Sequence, residues 1–284
     1  MPQIAIVTDS TAYIPAALVG QYKITVAPQV LVWGDQTYHD GVDIQPEEFY
    51  TRLKTAKVMP TTSQVSVVTM KDIFEKLVAQ GAEVLGIFIS AKLSGTMQSA
   101  VQGREELGAA ASKVTIMDSN ATAMALGFEI LAAARALGDG ASMNELKQLV
   151  EKSRDHVGVF FAVETLEFLH RGGRIGGATR FIGSALNLKP ILALRDGRVE
   201  AEDRVRTKSK ALDRVLELVA AQVKGRPNIR LATLHANAEA EAVQLLDKAI
   251  RELRPIESVL ASVSPVVGAH AGPGTVGLAF MAGM

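Results

Sequence analysis

The chain of 284 residues contains no cysteine, which excludes disulfide bonds, thiolate catalysis and cysteine-ligated zinc. Aromatic residues make up only 5% of the sequence, and 30 Lys and Arg residues balance 30 Asp and Glu residues. Nucleic-acid binding needs a basic surplus that neutralises phosphates, and aromatic rings on which bases stack. We therefore expect no nucleic-acid partner.

Long hydrophobic runs are also missing. The most apolar stretch, residues 121–137, includes Glu129 and Arg135 and is too short and too charged to span a bilayer. The first strand pattern begins at Ile4, with no basic leader and apolar signal segment ahead of it. We expect a cytoplasmic protein without stable membrane insertion.

The familiar catalytic motifs are absent too. The chain has no Walker A sequence, no dinucleotide fingerprint, no Gly-x-Ser-x-Gly elbow and no His-Glu-x-x-His pair. The five histidines are scattered. His39, Asp40 and Asp43 carry metal-ligating atoms, but the pattern is more typical of a solvated acidic turn. We expect no catalytic residue, no metal site and no cofactor.

Short β-branched runs that alternate with helical patterns dominate the first half. The runs at residues 4–7, 84–89 and 114–117 each lead through a polar loop into a helix. Residues 24–33 form a further extended stretch, interrupted by Pro28. Strand, loop and helix in repetition predict a parallel sheet with right-handed crossovers. The predicted N-terminal domain, residues 1–155, is therefore a Rossmann-like α/β domain.

Helices and hairpins are mixed in the second half. Asp196-Gly197 lies between the runs at residues 191–194 and 199–206 and predicts a β-hairpin. Strand patterns also occupy residues 157–163 and 229–235, and more strands are expected in the tail, residues 259–280. We predict a second domain, residues 156–284, with an α+β fold and a mostly antiparallel sheet. The fold class is thus α/β with two domains.

Three polar loops follow the predicted parallel strands, at residues 8–11, 90–96 and 118–120. Because ligands bind at the carboxyl ends of parallel strands, their hydroxyls and helix starts are suited to an anion. Ser, Thr, Asp and Asn are also the preferred helix N-caps, so each loop alone is better explained by a capping role. The three together favour a binding site.

A fourth candidate is the loop at residues 169–177, which combines His170, Arg171 and Arg174 with four glycines. Glycines allow backbone amides to converge on one point, and arginines beside them suit an anion. A glycine-rich turn with a solvated charged face is the alternative. From these residues alone both interpretations stay open.

An ordered set of short motifs covers essentially the whole length of the chain. The motifs are Val-Thr-Asp-Ser (7–10), Pro-Thr-Thr-Ser-Gln (60–64), Ser-Gly-Thr-Met-Gln-Ser-Ala (94–100), Asp-Ser (118–119), Arg-Gly-Gly-Arg-Ile (171–175), Leu-Lys-Pro-Ile-Leu (188–192), Arg-Thr (206–207) and His-Ala-Gly-Pro-Gly (270–274). In this set the chain resembles the DegV family of bacterial fatty-acid-binding proteins. Two positions depart from the family pattern, Val65 and Met97. We expect both to alter the shape of the binding pocket.

The resemblance implies that the two domains hold one long-chain fatty acid between them. Its carboxylate would be bound by Thr62, Ser94, Gly95, His270 and Gly272. Some family members are the non-catalytic binding subunit of a fatty acid kinase in phospholipid metabolism, and they present the carboxylate to a separate ATP-dependent subunit. By the same resemblance, Arg206 would act in phosphotransfer or docking, and we assign Arg171 and Arg174 to the same role.

A buried carboxylate needs hydrogen-bond donors, and an acyl chain needs an apolar tunnel, so the residues agree with the binding part of this picture. The alternative is a self-contained small-molecule phosphotransferase that uses the Gly-Arg loop as its own phosphate site. The missing nucleotide motifs make it the weaker hypothesis.

Overall fold

The structure is a computed structural model that describes residues 3–182 and 188–284. Its strands are β1 (Ile4–Asp9), β2 (Thr25–Ala27), β3 (Val30–Trp33), β4 (Gln36–His39), β5 (Thr61–Ser63), β6 (Glu83–Phe88), β7 (Val114–Asp118), β8 (Val157–Ala162), β9 (Lys189–Arg195), β10 (Arg198–Val205), β11 (Arg230–His235), β12 (Glu257–Ser262) and β13 (Val276–Met281). Its α-helices are α1 (Ala16–Gln21), α2 (Pro46–Leu53), α3 (Val67–Ala79), α4 (Thr96–Glu105), α5 (Ala123–Gly138), α6 (Met143–Ser153), α7 (Glu167–Arg171), α8 (Lys208–Val223), α9 (Glu239–Leu253) and α10 (Pro265–Ala271).

A four-stranded parallel sheet forms the N-terminal part, in the order β2-β1-β6-β7. Its central strand β6 is almost entirely buried, which explains the continuous apolar run that marks it in the sequence. Because the strands are parallel, the loops after β1, β6 and β7 emerge at one edge. The predicted parallel sheet is confirmed.

A six-stranded sheet forms the C-terminal part, in the order β10-β9-β8-β13-β11-β12. Neighbouring strands are antiparallel except for the parallel pair β11 and β12. Asp196 and Gly197 join β9 to β10 with positive φ angles of 47° and 75°, as a two-residue type I′ hairpin requires. The mostly antiparallel sheet is confirmed as well.

A small third sheet, β4-β3-β5, was not anticipated by the sequence patterns. The extended stretch at residues 24–33 divides at Pro28, so that β2 joins the parallel sheet and β3 joins the small one. Proline lacks the amide that a continuing ladder needs. The tail also differs from the expectation of strands alone, because α10 lies between β12 and β13.

The helix α5 packs against β1 on one side and against β8, β11 and β13 on the other, so it lies between the two large sheets. This position buries nearly all of its surface and explains its alanine-rich, uniformly apolar sequence. The helices α8 and α9 cover the opposite face of the six-stranded sheet. The predicted division into domains at residue 155 is not tested by this arrangement and stays a prediction.

Among the helices in residues 3–182 and 188–284, none combines the length and the apolarity that a bilayer crossing requires.

Candidate functional site

A cavity lies between the carboxyl edge of the parallel sheet, α10 and the inner face of the six-stranded sheet. With its open mouth included, it encloses about 940 Å³. Its apolar lining comprises Ile89, Leu93, Val159, Phe161, Leu169, Leu194, Val199, Leu234, Val263, Val266 and Val267.

The six-stranded sheet supplies one apolar wall of the cavity. Leu234, Gly277 and Phe161 are direct neighbours across β11, β13 and β8, and all three line the cavity. Gly277 carries no side chain, and a Cβ there would lie only 2.9 Å from Phe161 Cβ. The row therefore forms a close-packed apolar wall that crosses three strands.

Polar side chains from distant parts of the chain meet at the same cavity. The hydroxyl of Thr62, in β5, lies 2.7 Å from Nε2 of His270, in α10. In the loop after β6, Ser94 Oγ lies 2.9 Å from Thr96 Oγ1. Thr96 Oγ1 accepts a hydrogen bond from the side-chain amide of Gln29. Thr62, Ser94, His270 and Gln29 all line the cavity.

Arg174 connects these two polar groups. Its Nε donates to the carbonyl of Leu93, next to Ser94, and another guanidinium nitrogen donates to the carbonyl of Gly172. Burial, followed by the positive charge of Arg174, lowers the pKa of His270 to about 4. The imidazole is therefore neutral at physiological pH, and Arg174 supplies the positive charge of this cluster.

Gly172 determines the position of His270. A Cβ at residue 172 would overlap Nδ1 of the imidazole, so the glycine backbone lies directly against the ring. Thr62 contacts the opposite side of the same ring. The glycine-rich loop thus shapes the cavity through its backbone.

The residues that the sequence singled out divide into three groups. Thr62, Ser94, His270 and Arg174 line the cavity. Gly95 and Gly272 lie next to it: a Cβ at Gly95 would meet Gln64 at 2.9 Å, and Gly272, with a φ of 81°, ends α10 against the ring of Phe168. Arg171 and Arg206 lie outside the lining and are exposed.

The two outer arginines differ in their contacts. Arg171 pairs with Glu167 at 2.6 Å, one turn earlier on α7. Arg206 makes no hydrogen bond or ion pair with the described part of the chain. It lies two residues before Lys208, whose ammonium donates to the carbonyl of Gly274. Gly274 precedes the cavity residue Thr275, so Arg206 is close in sequence to a lysine that contacts a neighbour of the cavity lining.

The three polar loops have different roles. Asp9 accepts hydrogen bonds from the amide and hydroxyl of Thr11, so the first loop is a capping structure whose Thr11 also lines the cavity. In the third loop, Ser119 and Asp118 bond to neighbouring backbone groups. In the second loop, Ser94 lines the cavity, and its hydroxyl also accepts a hydrogen bond of 3.3 Å from the amide of Thr96, the first residue of α4.

Sequence reasoning missed Gln29, which follows Pro28 in an apolar stretch and carries no motif. The two departures from the family pattern, Val65 and Met97, pack in a core cluster with residues of α3 and α4 and do not line the cavity. Their expected effect on the shape of the pocket stays a prediction. Among the described residues, no group of three or more histidine or acidic side chains is placed to hold a metal ion.

Comparison with known proteins identifies the family. A model described as "Uncharacterised protein, DegV family" matches residues 3–283. The chain belongs to the DegV family. A DegV domain-containing protein of Clostridium perfringens is 33% identical over 279 residues, which cover 98% of each chain. The resemblance stated from the ordered motifs is confirmed.

Solved structures of DegV proteins share the fold over its full length. A DegV family protein from Thermus thermophilus, described by its fatty acid binding, is 35% identical with a TM-score of 0.93, over 99% of both chains. DegV of Bacillus subtilis, described as a fatty acid binding protein, is 30% identical with a TM-score of 0.90, over 99% of this chain and all of the other.

Proposed function

We propose that this DegV protein binds one long-chain fatty acid in the cavity, with the tail along the apolar wall that the six-stranded sheet supplies. Thr62 and Ser94 hold the carboxylate, His270 supports it through its contact with Thr62, and the backbone at Gly95 and Gly272 completes the headgroup site. The main support is that hydroxyls and an imidazole from residues 208 positions apart meet at a cavity with an otherwise apolar wall. The relatives described as fatty acid binding add to it.

Burial of the tail provides most of the binding energy. Each CH₂ group that leaves water contributes about 0.8 kcal/mol, so a sixteen-carbon chain gains roughly 10 kcal/mol before the costs of association. The carboxylate contributes specificity, because a buried charge without donors is strongly unfavourable.

The neutral imidazole explains how Thr62 is kept as a donor. Gly172 lies against Nδ1, which has no hydrogen-bond partner among the described residues. A proton is therefore better placed on Nε2, from which it is donated to Thr62 Oγ1. The hydroxyl proton of Thr62 is then free for the ligand carboxylate, and Arg174 offsets the negative charge nearby.

The protein would present the bound acid to a separate ATP-dependent kinase subunit in the cytoplasm. On that partner, a carboxylate oxygen attacks the γ-phosphorus of ATP and ADP leaves, so that an acyl phosphate forms. This chain binds and orients the acid and is not itself the catalyst. The self-contained phosphotransferase is less well supported, because Gly172 and Arg174 contact main-chain carbonyls and His270.

Lipid extraction tests the binding function directly. We expect about one equivalent of long-chain fatty acid per chain in protein purified without added lipid, measured by mass spectrometry. Delipidated protein should bind oleate or palmitate again in a calorimetric titration. The proposal fails if no fatty acid is extracted and neither acid binds, and heat released by ATP and Mg²⁺ alone would favour the phosphotransferase.

Replacing Arg206 by alanine tests the presentation step. We expect fatty-acid affinity within about twofold of the wild type and acyl-phosphate formation by the kinase subunit reduced roughly tenfold or more, as for an arginine hot spot. The reason is that Arg206 is exposed and lies outside the cavity lining. Arg251→Ala, an exposed arginine on α9, is the control. An Arg206→Ala protein that loses its fatty acid would contradict the assigned role.

A further inference from the structure

The cavity helix α10 ends in a short segment, residues 272–275, that leads into β13 and is called the headgroup turn below. Gly272 and Gly274 give it its shape with positive φ angles of 81° and 79°. The hydroxyl of Thr275, a cavity residue, donates to the carbonyls of Ala271 and Gly272 at 2.9 Å each. The headgroup turn therefore fixes the end of the helix that carries the imidazole.

The inner side of the headgroup turn is bonded to the end of β11 through the backbone alone. The Gly274 amide donates to the carbonyl of Ala236 at 2.7 Å, and the Ala236 amide donates to the carbonyl of Thr275 at 2.9 Å. Ala236 directly follows β11, so these two bonds extend the pairing between β11 and β13. Because no side chain takes part in them, the side-chain contacts that hold the turn lie on its outer side.

Lys208, the first residue of α8, contacts the outer side of the headgroup turn. Its ammonium donates to the carbonyl of Gly274 and pairs with the carboxylate of Glu164 at 2.6 Å. A Cβ at Gly274 would lie 2.6 Å from Cγ of Glu164, so the glutamate packs directly on the backbone of the turn. Among the described residues, the Gly274 carbonyl accepts no other hydrogen bond. The position of this carbonyl thus depends on Lys208.

The charges around the headgroup turn explain why a lysine suits this position. Glu164 also pairs with Lys189, the first residue of β9, so one carboxylate faces two ammonium groups. The Gly274 carbonyl is the further acceptor that Lys208 contacts. Only 21% of the Lys208 side chain is exposed, which limits competition from water. An apolar side chain of the same length would leave the carbonyl without this donor.

The headgroup turn and the imidazole are close enough to move together. His270 precedes Gly272 by two residues, and the Gly272 amide still donates to the carbonyl of Gly268 at 2.9 Å, as in a continuing helix. A Cβ at Gly272 would lie 2.4 Å from the ring of Phe168, so that side of the turn is filled. A shift of the turn therefore displaces the imidazole from the hydroxyl of Thr62, which lies 2.7 Å away.

We infer that Lys208 is a positioning residue for His270: its ammonium holds the headgroup turn, and the turn keeps the imidazole against Thr62. The positioning stands on the contacts above. The effect on ligand release rests in addition on the proposed fatty-acid binding. Because ion pairs of partly exposed side chains contribute little to stability, we expect the protein to fold without this lysine.

Nitrogen NMR of the histidine ring tests the positioning in the ligand-free protein. The ring signals of His270, assigned with the His270→Gln variant, should shift in Lys208→Met, which removes the charge and keeps the length of the side chain. Lys208→Arg should return the signals toward their wild-type positions, because a guanidinium can donate to the same carbonyl. Lys210→Met, which alters an exposed lysine of the same helix, should resemble the wild type.

Wild-type ring signals in Lys208→Met overturn the inference. A shift that Lys208→Arg does not reverse reveals a general disturbance of the fold and overturns it as well. If Lys208→Met does not fold, Glu164→Gln provides the test, since it withdraws the charge that pairs with the ammonium. Unshifted His270 signals in Glu164→Gln then overturn the inference.

The release of oleate tests the effect on the ligand. The dissociation rate should rise several-fold in Lys208→Met, rise less in Lys208→Arg and stay unchanged in Lys210→Met. Equal rates in Lys208→Met and Lys210→Met overturn the inference. Ring signals that shift as expected, in proteins of which none binds oleate, contradict the proposed function instead.

Discussion

Replacing Thr62 by valine is expected to lower the affinity for a long-chain fatty acid roughly 10- to 100-fold, because hydrogen bonds to charged groups are worth about 1.5–3 kcal/mol. Valine keeps the shape of threonine and its preference for a strand, so β5 should form normally. The substitution removes the donor that faces the carboxylate and leaves Nε2 of His270 without its 2.7 Å partner. Both losses act on the same buried headgroup.

Thr61→Val provides the matched control. Thr61 is the neighbour of Thr62 in β5, is exposed and does not line the cavity. Calorimetric titration of the delipidated proteins with oleate should separate the two variants, with Thr61→Val close to the wild type. Equal affinities for Thr62→Val and wild-type protein would exclude Thr62 from the headgroup site and leave Ser94 and Arg174 as the remaining donors.

The large sheets could be predicted because each is marked by local features. Residues 84–89 are apolar throughout because β6 is covered on both faces. Asp196-Gly197 specifies a hairpin turn through its own backbone preferences. In both cases a few neighbouring residues determine the local structure, so the element can be predicted from them alone.

The geometry around the imidazole could not be predicted in the same way. Thr62 belongs to a strand of only three residues, which pairs with β3 about thirty residues earlier. No periodicity is visible over so short a segment. His270 was expected near strands and lies in a seven-residue helix. The motifs named both residues through family resemblance, but their contact depends on packing between α10 and β5, which no local pattern encodes.

The same limit applies to the glycine-rich loop, which the sequence left open between an anion site and a plain turn. The backbone of Gly172 makes the contact with His270, and the φ angle of Gly172 is not positive. The requirement for glycine at residue 172 comes from the neighbouring ring and not from the conformation of the chain. Gly173, by contrast, has a φ of 68° and open space around it.

Gly172→Ala should therefore disturb the headgroup site in the same way as a substitution of His270 itself. The added methyl overlaps Nδ1 of the imidazole, so the ring must move away from Thr62 or the loop must shift. Overpacking of this kind costs about 1–3 kcal/mol of stability. A displaced ring also loses the contact that keeps Thr62 as a donor, so oleate affinity should fall roughly tenfold or more, comparable to the loss in His270→Ala.

Gly173→Ala separates this effect from simple strain in the loop. An alanine there meets no neighbour but must adopt a positive φ, so its free energy of unfolding should fall by about 1 kcal/mol with oleate affinity unchanged. Thermal unfolding and oleate titration of both variants distinguish the two causes. If Gly172→Ala binds oleate like the wild type, the imidazole is not held by this loop. In that case the tautomer assigned to His270 loses its support, because it rests on the backbone that lies against Nδ1.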